Sequence, residues 1–211
     1  MQMHQPPSDC GLCPRLKDFR LANRAAFANF FNDCVPSFGG LDARLLIVGL
    51  APGLKGANRT GRPFTGDYAG DLLYTSLTKL GLAEGAYARR ADDGFSLLGC
   101  RVTNAVRCVP PQNKPEPSEI NTCRNFLAAE IAAMRNLCAI FALGQIAHNS
   151  VLSALGWKKK DHPFGHGAKY SGNELSLIAS YHCSRYNTNT GVLTAQMFET
   201  ALGAAKDAAG L

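Results

Sequence analysis

Four short apolar runs alternate with helical patterns along the chain, and this alternation limits the fold more than any other feature. The apolar runs cover residues 44–48, 101–106, 138–143 and 175–181, and the helical patterns cover residues 14–32, 70–80, 118–136, 145–155 and 194–206. Strands that alternate with helices form mostly parallel sheets with helices on both faces. The sequence therefore predicts an α/β sandwich, with functional residues in the loops at the carboxyl ends of the strands.

Length and composition suit one domain of ordinary globular character. The 211 residues fit a single domain spanning residues 1–211, with 46% hydrophobic and 18% charged residues. No apolar stretch approaches the ~20 residues that span a bilayer, and the first residues lack the apolar segment of a signal peptide. We therefore expect a cytoplasmic protein with no membrane partner. The net charge of +6 suits a phosphate-bearing partner, although solvated lysines and arginines explain it equally well.

Eight cysteines need an explanation other than disulfide bonds, because disulfides are rare in cytosolic proteins. Cys10 and Cys13 form a close pair, while Cys108 and Cys123 form a wider pair. Two spaced pairs predict a four-thiolate metal site, which either zinc or an iron–sulfur cluster would fit, and inert thiols are the alternative. The remaining cysteines, isolated in the sequence, are Cys34, Cys100, Cys138 and Cys183.

The segment GLAPGLKGANRTGRPFTGD, residues 49–67, follows the first apolar run and precedes a helical pattern. Its five glycines let the backbone approach a ligand closely, and the next helix offers free N–H groups that favour phosphate. The segment matches neither the P-loop nor the dinucleotide-binding glycine pattern. Its length and polarity favour a ligand-binding loop over a plain turn.

Five separated motifs together resemble one family. The motifs are GLAPG, NRTGRPFTGD, TNAVRCVPPQNKP, ALGQIAH and SYHCSRYNTNTG. In this order they resemble the bacterial and archaeal uracil-DNA glycosylases of family 5, the B-type branch, from Cys10 to about Gly191. The resemblance implies a three-layer α/β/α sandwich with a central four-stranded parallel sheet. It also implies a monomer that excises uracil from DNA without cutting the strand, with other deaminated bases such as hypoxanthine as further candidate substrates.

The resemblance also implies a cofactor. In families 4 and 5 the two cysteine pairs hold a [4Fe–4S] cluster, which here assigns Cys10, Cys13, Cys108 and Cys123 as its ligands, with zinc as the runner-up. We expect a structural cluster that anchors the N-terminal segment to the loop between Cys108 and Cys123. A redox role in the reaction is not expected.

The matched motifs also assign a base pocket. Phe64 matches the family's stacking phenylalanine, and Asn104 matches its base-reading asparagine, whose amide can donate to uracil O4 and accept from N3–H. His182 matches a histidine that would donate to uracil O2 as negative charge develops there. The backbone of the pocket is expected from Gly49, Leu50 and Ala51. Structural roles are the alternatives: a core aromatic, a loop-bracing amide and a structural histidine.

Leu50 departs from related families, which carry an acid or asparagine at this position to place the attacking water. Family 5 shares this absence, so another group must act, and we predict Asp67 at the end of the same loop. A carboxylate there would orient water and stabilise the cationic sugar. The alternative is that Asp67 only caps the following helix. Asp71 is expected to be an ordinary acid of the first helical turn.

Residues 184–189 are predicted to form a loop that presses into the minor groove of DNA. DNA contacts are expected from Ser184, Arg185, Tyr186 and Asn187. Arg185 or Tyr186 would fill the gap left by the flipped base or contact phosphate. A solvated loop without such contacts is the alternative.

A second class of function stays open at this point. The same scaffold would serve a non-catalytic iron–sulfur module that binds nucleic acid. The absence of the usual water-positioning residue at Leu50 supports this alternative. An assay for uracil excision separates the two.

Overall fold

Helices cover both faces of a central sheet in this structure, a computed structural model that describes residues 5–211. The strands are β1 (Leu45–Gly49), β2 (Ala83–Glu84), β3 (Ser96–Leu97), β4 (Cys100–Asn104), β5 (Ala139–Leu143), β6 (Lys169–Gly172) and β7 (Leu175–Ser180). The α-helices are α1 (Pro14–Ala26), α2 (Ala57–Thr60), α3 (Tyr68–Lys79), α4 (Pro117–Ala133), α5 (Gln145–Leu155), α6 (Arg185–Asn189) and α7 (Ala195–Ala209). Within the described part of the chain, no helix is both long and apolar enough to traverse a membrane.

The central sheet has five strands in the order β4-β1-β5-β7-β6. β4, β1, β5 and β7 run parallel, so the predicted α/β/α sandwich is confirmed. The expected four-stranded sheet gains one antiparallel edge strand, because β6 pairs with β7. This strand escapes sequence analysis because its four residues, KYSG, alternate between exposed and half-buried positions and carry no apolar run.

Successive residues of the central strands point to opposite faces of the sheet, and this alternation builds two cores. On one face Leu45 and Ile47 of β1 belong to a core shared with α3 and α7. On the other face Leu46 and Val48 belong to a core shared with α4 and α5. Because both faces are covered, the strands read as continuous apolar runs, which is the pattern that predicted them.

Helix limits depend on local hydrogen bonds that the apolar pattern does not contain. The pattern predicted α1 to residue 32, but the helix ends at Ala26. Asn32 adopts a φ of +53°, and its side-chain amide donates to the carbonyl of Phe27, which closes a turn instead. At the start of α4, Glu116 and Glu119 form a capping box that sets the first residue of the helix.

The carboxyl ends of β1, β4 and β7 meet at one edge of the sheet. Gly49 and Asn104 are the last residues of β1 and β4, and they lie side by side in register. β7 ends at Ser180, just before His182. The topology therefore gathers residues from three distant motifs at one place.

Candidate active site

A pocket of about 360 Å³ opens at this edge of the sheet. The predicted site residues that line it are Leu50, Ala51, Phe64, Asp67, Asn104, His182, Ser184 and Arg185. Gly49 lies at its floor, against the side chains of Phe64 and Asn104. Tyr186 and Asn187 belong to α6 beside the pocket and do not line it. The structure thus brings the predicted base-binding residues into one cavity.

Gly49 is required by the packing at the pocket floor. A Cβ at this position would lie 2.4 Å from Cζ of Phe64 and 2.5 Å from Oδ1 of Asn104. Both distances are too short for real contacts, so any side chain here would displace the ring or the amide. The missing side chain is what lets Phe64 and Asn104 face the same small volume.

Phe64 is held in a backbone conformation that few residues with side chains adopt. Its φ is +54°, which costs energy and persists only where the surroundings determine it. Gly70 supports this conformation, because a Cβ there would lie 1.5 Å from the Phe64 carbonyl oxygen. Tyr87 adds hydrogen bonds: its hydroxyl donates to that carbonyl at 3.4 Å and accepts from Gly66 N–H at 3.2 Å. The ring of Phe64 then lies 6.1 Å from that of His182, nearly parallel to it.

Asn104 and His182 present polar groups that the described chain does not satisfy. Asn104 is only 3% exposed, and its side-chain amide lines the pocket without a hydrogen bond to a described residue. The imidazole of His182 also lacks such a partner, although Asn187 donates to the His182 backbone carbonyl at 2.8 Å. Burial lowers the pKa of His182, so the ring is neutral at pH 7. A ligand edge placed here would find both a donor and an acceptor.

Asp67 both caps a helix and faces the pocket. It is the N-cap of α3, where Oδ1 accepts from Gly70 N–H at 3.1 Å. Oδ2 lies towards Gly53 and Gly56, where added Cβ atoms would stand 3.3 and 2.3 Å from it. Burial raises the pKa of the carboxyl group, an effect that the backbone N–H contacts partly offset. Asp67 therefore caps α3 through Oδ1, while Oδ2 is directed towards Gly53 of the pocket lining.

Asp71, the other acid at the start of α3, has partners elsewhere. Its two oxygens accept hydrogen bonds from Arg89 at 2.8 and 2.7 Å. The residue does not line the pocket. This placement fits the role expected for an ordinary acid of the first helical turn.

The prediction of a loop over residues 184–189 is wrong. Arg185–Asn189 forms the short helix α6, because the hydroxyl of Ser184 caps it by accepting from Asn187 N–H at 3.3 Å. The side-chain amide of Asn187 is bound to the His182 carbonyl. Among the residues predicted to contact DNA, Ser184 and Asn187 therefore shape the turn that carries His182.

Arg185 and Tyr186 instead present their side chains to solvent at the pocket mouth. Tyr186 is 73% exposed, the largest exposure among the bulky hydrophobic residues described. The guanidinium of Arg185 lies over the ring of Tyr68, 5.3 Å from its centroid. Thr188 of α6 also donates to the Tyr68 hydroxyl at 3.0 Å. α6 is thus tied to the first turn of α3 across the pocket mouth.

Two polar side chains of the pocket lining, Tyr68 and Asn113, were not predicted from the sequence. Tyr68 directly follows Asp67, and its position next to a predicted site residue was the only signal for it. Asn113 comes from the proline-rich loop after β4, where it and Gln112 adopt φ values of +57° and +55°. No local pattern indicates that this loop folds back to the pocket.

A second cavity lies between α1 and the segment after β4, and it gathers five thiols. The four cysteines predicted as ligands, together with one predicted as isolated, line it: Cys10, Cys13, Cys34, Cys108 and Cys123. Within residues 5–211, no three histidine, cysteine or acidic side chains lie close enough to share one metal ion. A [4Fe–4S] cluster makes a different demand, because each thiolate binds its own iron.

Arg20 places a buried positive charge beside this cavity. It is 2% exposed, and within the described chain its hydrogen bonds go to the Cys10 carbonyl, at 2.9 Å, and to the sulfurs of Cys108 and Cys34, at 3.4 and 3.6 Å. Its Nε has no partner among these residues. A buried cation needs an anion nearby. Thiolates that bind a metal cluster would supply that charge, so the donor set fits an iron–sulfur group.

Known proteins resemble this chain over most of its length. A family model described as Uracil DNA glycosylase superfamily matches residues 36–206. A Type-5 uracil-DNA glycosylase of Thermus thermophilus is 44% identical over 208 residues, which cover 96% of this chain and 94% of the relative. A Type-5 uracil-DNA glycosylase of Pyrobaculum aerophilum is 38% identical over 206 residues, covering 96% and 90%. A Type-4 uracil-DNA glycosylase of the same organism is 28% identical over 186 residues, covering 86% and 81%.

Proposed function

Because the chain belongs to the uracil DNA glycosylase superfamily and removes uracil from DNA, we propose that the base is flipped into the pocket at the sheet edge and hydrolysed from its sugar there. The observation that supports this assignment is the pair of side chains, Asn104 and His182, left without partners in the cavity that Phe64 borders. Their polar atoms face the pocket and are available to a ligand. A flipped base would supply the missing partners.

Uracil is recognised by stacking and by its hydrogen-bonding edge. Phe64 covers one face of the flipped base, and its strained backbone keeps the ring at the pocket floor. The Asn104 amide donates to O4 and accepts from N3–H, a pattern that the cytosine edge reverses. This contact discriminates deaminated from normal cytosine.

His182 stabilises the departing base. As the glycosidic bond breaks, negative charge develops on uracil O2, and the one N–H of a neutral imidazole can donate a hydrogen bond to it. Burial lowers the His182 pKa and keeps the ring in this neutral form. Asn187 holds the His182 carbonyl and so orients the residue.

Asp67 orients the attacking water and stabilises the cationic sugar in our proposal. Leu50 has no polar group for this task, and Asp67 supplies the carboxylate that lines the pocket. Burial raises its pKa, which makes the carboxylate a better proton acceptor than an exposed one. Among the described residues of the lining there is no lysine, so Schiff-base chemistry has no nucleophile and the product is an abasic site.

DNA is held by the mouth of the pocket. In our proposal the exposed Tyr186 fills the gap in the base stack and Arg185, at the pocket lining, contacts phosphate. The net charge of +6 supports such contacts. These two residues, more than Ser184 or Asn187, carry the proposed DNA interface.

A [4Fe–4S] cluster belongs to this proposal as a structural group. Cys10, Cys13, Cys108 and Cys123 would hold it, and the buried Arg20 would balance its negative charge. When bound, the cluster supplies a cross-link between the N-terminal segment and the chain after β4. The same chain segment continues to Asn113 in the pocket lining, so the cross-link would also support the pocket.

Three finer points complete the proposal. Hypoxanthine is a second substrate, because its O6 and N1–H present the same acceptor and donor as uracil O4 and N3–H. One chain suffices, since the pocket lining described above is complete within it. The cytoplasm is the working compartment, because all eight cysteines are free of disulfides and suit a reducing environment.

The test is excision from oligonucleotides that carry a single U·G, U·A, single-stranded U or hypoxanthine. We expect release of uracil and an intact strand that breaks only after alkali. Matched oligonucleotides with cytosine are the control. Binding without base release on every substrate would instead support the non-catalytic module.

A further inference from the structure

Cys34 lies inside the cysteine cavity, although its isolated position in the sequence gives no reason to expect it there. Its sulfur is 3.3 Å from the sulfur of Cys108, within hydrogen-bond range for thiols. Both residues are buried, at 6% and 8% exposure. The contact is therefore a property of the interior and not of a mobile surface.

The backbone around Cys34 fixes this contact from two sides. Val35 N–H donates to the Arg107 carbonyl at 2.8 Å, which ties the residue after Cys34 to the residue before Cys108. Cys34 N–H donates to the Ser8 carbonyl at 3.3 Å, which ties it to the segment that leads into Cys10. Cys34 thus sits between the two chain segments that the proposed cluster would join.

The donor and acceptor of the contact follow from the chemistry of ligation. An iron ligand must be a thiolate, which has no proton to give. If Cys108 binds iron, Cys34 must supply the proton between the two sulfurs. Arg20 donates towards both sulfurs from the same nitrogen, Nη1. Cys108 would then accept from a thiol and a guanidinium together.

We propose that Cys34 is a fifth cysteine of this site, which donates a hydrogen bond to the Cys108 thiolate and stabilises the cluster without binding iron. The inference rests on the proposed [4Fe–4S] group. Hydrogen bonds to ligand sulfurs withdraw negative charge and raise the reduction potential of a cluster. Cys34 is accordingly a positioning and tuning residue.

The experiment compares the full chain, purified without oxygen, with Cys34→Ala, Cys34→Ser and Cys108→Ala. Iron and sulfide content, the reduction potential of the cluster and the decay of its absorbance in air are measured, with the melting temperature as a check on folding. Cys138→Ala is the matched control, because Cys138 is a half-buried thiol outside the cavity. It should match the unmodified chain.

We expect Cys34→Ala to bind iron but to show a lower potential and decay about 5-fold faster, roughly the loss of one net hydrogen bond. Cys34→Ser, whose hydroxyl still donates, should restore the potential, whereas Cys108→Ala should lose iron. Equal potentials in the Ala variant and the unmodified chain would refute the inference. So would failure of serine to rescue, which would mean that Cys34 only fills space. Full iron in Cys108→Ala with loss in Cys34→Ala would make Cys34 the ligand.

The same measurements separate this inference from the proposal beneath it. If the unmodified chain contains no iron, the cluster itself is refuted. If it contains about four irons and the Cys34 variants do not differ from it, the cluster stands and only the role of Cys34 fails.

Discussion

The base pocket and the cysteine cavity both depend on the chain that leaves β4, yet they treat their polar groups in opposite ways. Asn104 ends β4 with an amide that no described residue satisfies. Cys108, a little further on, has the thiol of Cys34 and the guanidinium of Arg20 against its sulfur. The pocket leaves the Asn104 amide open to a ligand, whereas the cavity surrounds the Cys108 sulfur with partners.

This difference indicates that the pocket serves ligand binding and that the cavity serves stability. An amide that faces an open pocket is free to bind a ligand, and a ligand that binds the folded chain stabilises it. A cluster that stays bound differs from a substrate, because its ligands and their hydrogen-bond partners hold it at all times. The pocket should therefore respond to substitutions through rate and specificity, while the cavity should respond through stability and metal content.

The largest effect should come from Asp67→Asn in the pocket. The change removes the charge that orients water, and we expect single-turnover excision to fall ~10²–10³-fold, the usual loss for one such group. Asparagine caps helices about as well as aspartate, so the melting temperature should stay nearly constant. Asp71→Asn is the matched control and should keep most of its rate. A near-normal rate for Asp67→Asn would leave that residue with its capping role alone.

Gly49→Ala should follow in size. The added Cβ would displace the Phe64 ring or the Asn104 amide. Overpacking of this kind costs ~1–3 kcal/mol of stability, and a loss of ~1–3 kcal/mol in binding of the transition state would lower kcat/KM roughly 5- to 150-fold. Gly203→Ala in α7 is the control, because a Cβ there meets nothing within 4 Å. It should leave kcat/KM unchanged and gain about 0.5–1 kcal/mol of stability. Equal behaviour of the two variants would show that the floor of the pocket tolerates a side chain.

Arg185→Ala should have a smaller effect, confined to DNA binding. If Arg185 neutralises one phosphate, the slope of log K against log salt should become shallower by ~0.9, with affinity falling several-fold. Arg135→Ala is the control, since this exposed arginine precedes β5 at the opposite edge of the sheet. An unchanged slope for Arg185→Ala would remove the residue from the DNA interface. In either variant, iron content should not change if the two regions are independent.

The smallest effect concerns pH and stability. Burial lowers the His182 pKa, so the unfolded chain binds a proton at this residue before the folded chain does. Its contribution to stability is therefore present above about pH 6.5, the ordinary histidine value, and declines as the pH falls through it. His182→Asn should lack that part of the decline, measured as the difference in melting temperature between pH 7.5 and 5.5. Identical profiles would place the ring in a solvent-like environment.

The residues expected in the base pocket came from motifs that resemble one family, and the structure gathers these residues at one cavity. Gly49 and His182 follow apolar runs and Asn104 lies near the end of another, and parallel strands bring such positions to one edge. α6 was read as a loop because its cap, a single Ser184 hydroxyl, is a weak signal beside the polar sequence that follows. β6 was missed because an exposed edge strand needs no apolar face.

The sequence by itself determined the α/β/α layering, the gathering of functional loops at the carboxyl ends of parallel strands, and the family to which the chain belongs. The layering follows from apolar runs that alternate with helical patterns, and the family follows from five motifs spread along the chain. Only the tertiary structure decided that Asp67 divides its two oxygens between a helix cap and the pocket, that Tyr87 supports the strained Phe64, and that Cys34 meets Cys108. Each of those contacts depends on side-chain directions or joins segments far apart in the chain, and no local pattern encodes them.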